Sequence, residues 1–130
     1  MDMKQHSITG SFKIKKGRVE IQLLLKGWKD DDSNVHFLYS PALDLTGYGN
    51  SINEAKESFE YMLNDFVDYS KKKKTIYKEL ERLGWSINIR KKRSMAPDVE
   101  DLLQENETFR DLQNKKGVHD FENVYGLEFA

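Results

Sequence analysis

The stretch Pro41-Ala42-Leu43-Asp44-Leu45-Thr46-Gly47-Tyr48-Gly49-Asn50-Ser51-Ile52-Asn53-Glu54-Ala55 marks a passage from one kind of structure to another. Pro41 has no N–H to give to a sheet ladder and ends strand pairing. Gly47 and Gly49 read as loop glycines that permit positive φ, so residues 42 to 50 are predicted as a loop. Ser51 and Glu54 stand at capping-box spacing: the hydroxyl accepts from the third helical N–H and the carboxylate reaches back over the helix start. Ala55 then lets helix and sheet approach closely. Sheet is expected before this stretch and helix after it.

Upstream, Val19, Ile21, Leu23 and Leu25 alternate with Arg18, Glu20, Gln22 and Lys26, the period-2 signature of a half-buried strand that only Leu24 breaks. Phe12 and Ile14 predict a preceding strand joined through a Lys16-Gly17 turn. Val35, Phe37 and Tyr39 predict a third, completing a meander. Downstream, Ala55, Phe59, Met62, Leu63, Phe66 and Tyr69 recur every three or four residues, an apolar stripe able to cover that sheet. Ile76, Leu80 and Leu83 mark a second, shorter helix with Thr75 as N-cap and Gly84 just past its end. Trp85, Ile87 and Ile89 predict a fourth strand. Beyond it, Pro97 suits the first turn of a helix holding Val99, Leu102 and Leu103, and Phe109 with Leu112 suggests another. Tyr125, Leu127 and Phe129 alternate as a last strand or docked segment.

The fold class expected is therefore α+β: an antiparallel β-β-β-α core with a second short helix, a fourth strand and a helical C-terminal extension. The chain has 130 residues, enough for one domain, with residues 1–92 as the main body and 93–130 as an acidic helical extension packed on it. Hydrophobic residues make up 38% and charged residues 33%, which gives a modest core under a charged surface. There is no cysteine, so disulfides, thiolate metal sites and cysteine nucleophiles are excluded. No secretory leader or long apolar span is legible, and a cytoplasmic location is expected. Charge runs acidic, basic, acidic: net −3 over residues 1–70, +8 over 71–93 and −6 over 98–130. The basic segment pairs most simply with the acidic tail or with another copy.

The series Pro41, Gly47, Gly49, Asn50, Ser51, Glu54, Ala55, set between strands and an amphipathic helix, resembles the signature of the HicB antitoxin family, over about residues 18 to 90. The resemblance implies a β-β-β-α-β core described as a reduced RNase H-like fold. It also implies an antitoxin that sequesters a small basic RNA-cleaving toxin of the HicA type and assembles into dimers or larger oligomers. Such antitoxins usually add a helix-turn-helix or ribbon-helix-helix domain, and neither is found here. A ribbon-helix-helix laid over residues 85–112 would set Asp98, Glu100, Asp101, Glu105, Glu107 and Asp111 against Arg110 alone, the wrong sign for phosphate.

No catalytic site, metal site or cofactor is expected. Asp44, Glu54 and Asp65 are the carboxylates that a metal nuclease would need, but Glu54 serves the cap and Asp65 falls on the polar helix face. Asp30-Asp31-Asp32 lacks the alternating ligands of a calcium loop. His6, His36 and His119 have no ligands at metal spacing, and no Gly-x-Ser-x-Gly elbow accompanies the serines. Trp28, Trp85 and Tyr39 read as core or cross-strand residues. Tyr48, flanked by glycines and outside any apolar period, is the expected partner contact, with Leu43 and Asp44 in the same loop. The alternative reading is a nucleic-acid-binding surface made of Lys71, Lys72, Lys73 and Lys74 with Arg90, Lys91, Lys92 and Arg93.

Overall fold

The computed structural model describes residues 9 to 128; His6 and Phe129, noted above, lie outside them. The order is β1 (Gly10–Lys15), β2 (Arg18–Lys29), β3 (His36–Ser40), β4 (Leu45–Gly49), α1 (Ile52–Lys72), α2 (Ile76–Arg82), β5 (Ser86–Asn88), β6 (Arg93–Met95), α3 (Val99–Glu105), α4 (Glu107–Gln113) and β7 (His119–Glu128). The fold is α+β, with the strands in one antiparallel sheet.

The long strand β2 organises this sheet. Along one edge it pairs with β7 in an unbroken register from Arg18↔Glu128 to Gly27↔His119. Its other edge is shared end to end, by β1 opposite residues 18 to 23 and by β3 opposite residues 26 to 29. β4 continues the sheet from β3, while β6 and β5 continue it from β1. β7 thus ties the C-terminal residues to the middle of the sheet, some hundred residues back along the chain.

One face of the sheet is the core. Val19, Ile21, Leu23 and Leu25 are buried there under Ala55, Phe59, Leu63 and Val67 of α1. The α1 stripe is rotated slightly from expectation: Val67 and Ser70 point inward, whereas Met62 and Tyr69 are exposed. At its start the Glu54 N–H donates to Ser51 Oγ (3.1 Å), and Glu54 Oε1 accepts from the Asn50 N–H (3.0 Å), one residue before the N-cap. Thr75 holds the N-cap position of α2 without a side-chain cap bond, and Gly84 follows that helix at φ +90. Trp85 is buried beyond it, its Nε1 donating to the Ala42 carbonyl (2.8 Å).

Three expectations are corrected. Residues 45–49 form β4 rather than loop, and neither Gly47 nor Gly49 has positive φ. Both are needed because α1 lies against the strand: a Cβ at Gly47 would stand 2.4 Å from the Phe59 N, and one at Gly49 2.4 Å from the Glu54 Cβ. The predicted fourth strand stops at Asn88, and residues 89–92 turn into β6, which pairs with β1. Pro97 precedes α3 rather than opening it; Asp98 is the N-cap and accepts from the Asp101 N–H (3.0 Å).

Candidate functional site

The outer face of the sheet, opposite α1, carries the side chains that face away from the core. Because Gly47 and Gly49 meet the helix, Tyr48 between them must point outward, and it is 64% exposed. The registers Trp28↔Phe37 and Phe37↔Tyr48 place three aromatic rings in a row across β2, β3 and β4. Trp28 stacks on Phe37 with centroids 5.3 Å apart, and Phe37 meets Tyr48 at 6.2 Å. At the same end, but on the α1 side of the sheet, an apolar cleft of about 180 Å³ opens between the sheet and the first turn of α1, lined by Gly27, Leu38, Ile52, Ala55 and Phe121 among others. Ile52, half exposed, forms its lip.

Acidic groups border this end. Asp30, Asp31 and Asp32 sit in the β2–β3 turn, where side-chain and backbone hydrogen bonds from Ser33 hold the Asp30 carboxyl below its ordinary value. A second acidic groove, between the β3–β4 turn and helices α3 and α4, is lined by Asp44, Asp101, Glu105 and Glu107, with Arg82 as its cation.

The middle of the outer face is covered. Lys26, almost fully buried, donates to Asp120 Oδ1 (2.6 Å) and lies under the Phe109 ring of α4 (5.5 Å to the centroid). Tyr39 beside it donates to Asp44 Oδ1 (2.7 Å) and accepts from Asn106 Nδ2 (2.8 Å). Burial and the Asp44 hydrogen bond push the Tyr39 hydroxyl well above its ordinary pKa, so it remains a donor. Asn106 also caps α4 through the Phe109 N–H (3.0 Å), which joins the helical pair to the sheet at one polar junction.

The expected contacts Leu43, Asp44 and Tyr48 are not brought together. Leu43 is 3% exposed and belongs to the core, which corrects its reading as a surface contact. Asp44 is exposed, but its carboxylate is held by Tyr39, and it lies across the length of β4 from Tyr48. Tyr48 keeps the expected exposure, for a reason of strand alternation rather than loop position. Trp28 and Phe37 join Tyr48 on this surface through two strand registers that no single segment of the sequence reveals.

Of the nuclease carboxylates, Glu54 serves the helix start, Asp44 is bound by Tyr39 and Asp65 borders a groove on α1. Among the described residues no three His, Asp or Glu side chains gather as metal ligands. Among them too, no helix is long and apolar enough to cross a membrane.

The alternative basic residues do share one end of the molecule. Val67 of α1 borders the same groove as Leu127, whose register partner is Val19 at the start of β2, so Lys71, Lys72, Lys73 and Lys74 lie past that end. Arg90, Lys91, Lys92 and Arg93 turn beside the β1–β2 hairpin, where the Ile14 N–H donates to the Lys92 carbonyl (3.0 Å) and Arg93 pairs in register with Lys13. Comparison of the chain with protein-family models, curated proteins and solved structures finds no match in any of the three.

Proposed function

We propose that the protein is a HicB-like antitoxin, or a binding module derived from one, that sequesters a small basic RNA-cleaving protein of the HicA type. The observation that carries this reading is the Trp28–Phe37–Tyr48 row, half-buried at Trp28 and Phe37 and exposed at Tyr48, with an apolar cleft at the same end on the α1 side of the sheet. Aromatic anchors next to a desolvated slot are the usual hot spots of protein interfaces. The carboxylates of Asp30, Asp31 and Asp32 offer a cationic partner ion pairs at this end, alongside the lysines Lys29 and Lys115. The resemblance through Pro41, Ser51, Glu54 and Ala55 supports the same reading, as does the run of β2, β3 and β4 into a helix laid on the sheet.

In this reading a basic protein lays cationic groups over the aromatic row and the acidic turn and reaches round the end of the sheet to place an apolar side chain in the cleft. Assembly into dimers, which the resemblance also implies, has a candidate surface in the outer edge of β7, which no described strand pairs.

The test is a tagged pull-down from the native cell extract at moderate salt, after nuclease treatment. The expected result is one stoichiometric basic protein, well under the common domain size of roughly 100 residues. It should be lost when Tyr48→Ala and Phe37→Ala are combined, and its RNA cleavage should be silenced by an equimolar amount of this chain. Recovery of the chain alone, or capture indifferent to the aromatic substitutions, contradicts the proposal.

A further inference from the structure

The basic end has features that a merely solvated charged surface would lack. Three segments distant in sequence lie at this end: the β1–β2 hairpin and the β5–β6 turn, which meet, and the end of α1. The hairpin adds Lys13, Lys15, Lys16 and Arg18 to the lysines and arginines at 71–74 and 90–93, so more than half of the chain's 21 basic residues gather at one end. Glu20, paired with Lys13 (3.3 Å), and Asp68, paired with Lys72 (3.0 Å), are carboxylates at this end, and Glu122 lies on the outer face beside it. Like charges at this density repel one another and work against the folded state.

The backbone supplies a second, independent observation. Five described non-glycine residues have positive φ, and two of them, Asn34 and Asp44, are of the types that tolerate it. The other three are Lys16 (φ 53), Lys74 (φ 56) and Lys92 (φ 55), one in each basic segment. A left-handed lysine costs about 1 kcal/mol against glycine. At all three turns a cation occupies a position where glycine or asparagine would be more stable.

The outer face beside this end is open, unlike the middle beneath α4. Cross-strand registers set Ser86, Met95, Ser11, Gln22 and Val124 in one row, and Asn88, Arg93, Lys13 and Glu20 in the next. All of these but Val124 line a broad shallow depression, together with Lys91 and Glu122. Its amides and hydroxyls both donate and accept hydrogen bonds, as base edges do, and Met95 within it and Val124 beside it are exposed apolar groups that base faces could cover.

We infer that this end and the open half of the outer face bind a single-stranded nucleic acid. Phosphates are held by the hairpin and the 90–93 turn, with the 71–74 lysines beyond, and bases lie over the two polar rows. A single strand is favoured over a duplex because the rows offer hydrogen bonds to base edges, which a duplex keeps within its grooves. The surface is separate from the aromatic row, with α4 between them, so the inference stands or falls independently of the function proposed above.

The experiment is fluorescence anisotropy of the full chain with fluorescein-labelled twenty-nucleotide U and dT strands and with a duplex of the same length. Binding through about four phosphates predicts an affinity loss of about 50-fold between 50 and 200 mM NaCl. Lys16→Gly and Lys92→Gly should each flatten the salt slope by about 0.7. Both should raise the melting temperature by relieving the left-handed lysine, so weaker binding by these variants cannot come from unfolding. Changing Lys29, Lys56, Lys115 and Lys116 together to Gln, all at the other end, should leave affinity within about twofold, as loss of distant exposed charges is largely screened. The inference is overturned by no binding at 50 mM NaCl, by an equal loss in that control, by a duplex binding as tightly as the single strands, or by equal affinity for vesicles containing phosphatidylserine.

Discussion

The two open parts of the outer sheet face differ in almost every respect although one strand, β2, runs through both. Toward its C-terminal end β2 contributes Trp28 to an aromatic row near the Asp30–Asp32 turn. Toward its N-terminal end it contributes Gln22, Glu20 and Arg18 to polar rows that run into a basic end. Between them Lys26 and Tyr39 are sealed by α4. The C-terminal residues therefore do more than extend the domain: by covering the middle, they divide one continuous surface into two of opposite chemistry.

Removing the cover should have the largest effect. Phe109 is fully buried, and Phe109→Ala is expected to cost about 4 kcal/mol in a denaturant melt. Next comes Gly47→Ala, whose Cβ would press on the α1 backbone; it should cost about 3 kcal/mol and displace Tyr48 with β4. A measured cost under about 1 kcal/mol, the level tolerated by ordinary core swaps, would mean that α1 does not seat on β4 as described.

These two residues also show what could be read from the sequence. The meander and α1 were legible because periods of 2 and 3.6 are local. Gly47 and Gly49 are plain in the sequence, but an i, i+2 pair of glycines fits a positive-φ loop as well as one strand face under a close neighbour, and only the packing of α1 decides between them. β6 is three residues long and gains its identity from β1, more than eighty residues earlier, so no local pattern announces it. Leu43 looked like a loop residue and is core because the turn after Pro41 tucks it inward. The aromatic row needed two registers at once, and Tyr48 alone was found.

Asn106→Ala tests the junction directly. It removes the α4 cap and a hydrogen bond to Tyr39, and should cost about 2 kcal/mol. The same junction predicts an alkaline limit. Because the Tyr39 pKa is raised by folding, its contribution is complete below the ordinary tyrosine value near ~10 and is lost as pH rises beyond it. Tyr39→Phe should flatten that part of the stability profile. The smallest change expected is a gain: Ser94 has a buried hydroxyl without a hydrogen-bond partner, and Ser94→Ala should stabilise by about 1 kcal/mol without altering either surface.

The division of the outer face into two binding surfaces is tested most directly by measuring both ligands on two variants. Phe37→Ala with Tyr48→Ala should abolish capture of the small basic protein from extract and leave single-strand affinity within about twofold, while changing residues 90–93 to Gln should do the reverse, as expected for separated sites. Both ligands lost together in either variant, or neither lost in both, would contradict the account.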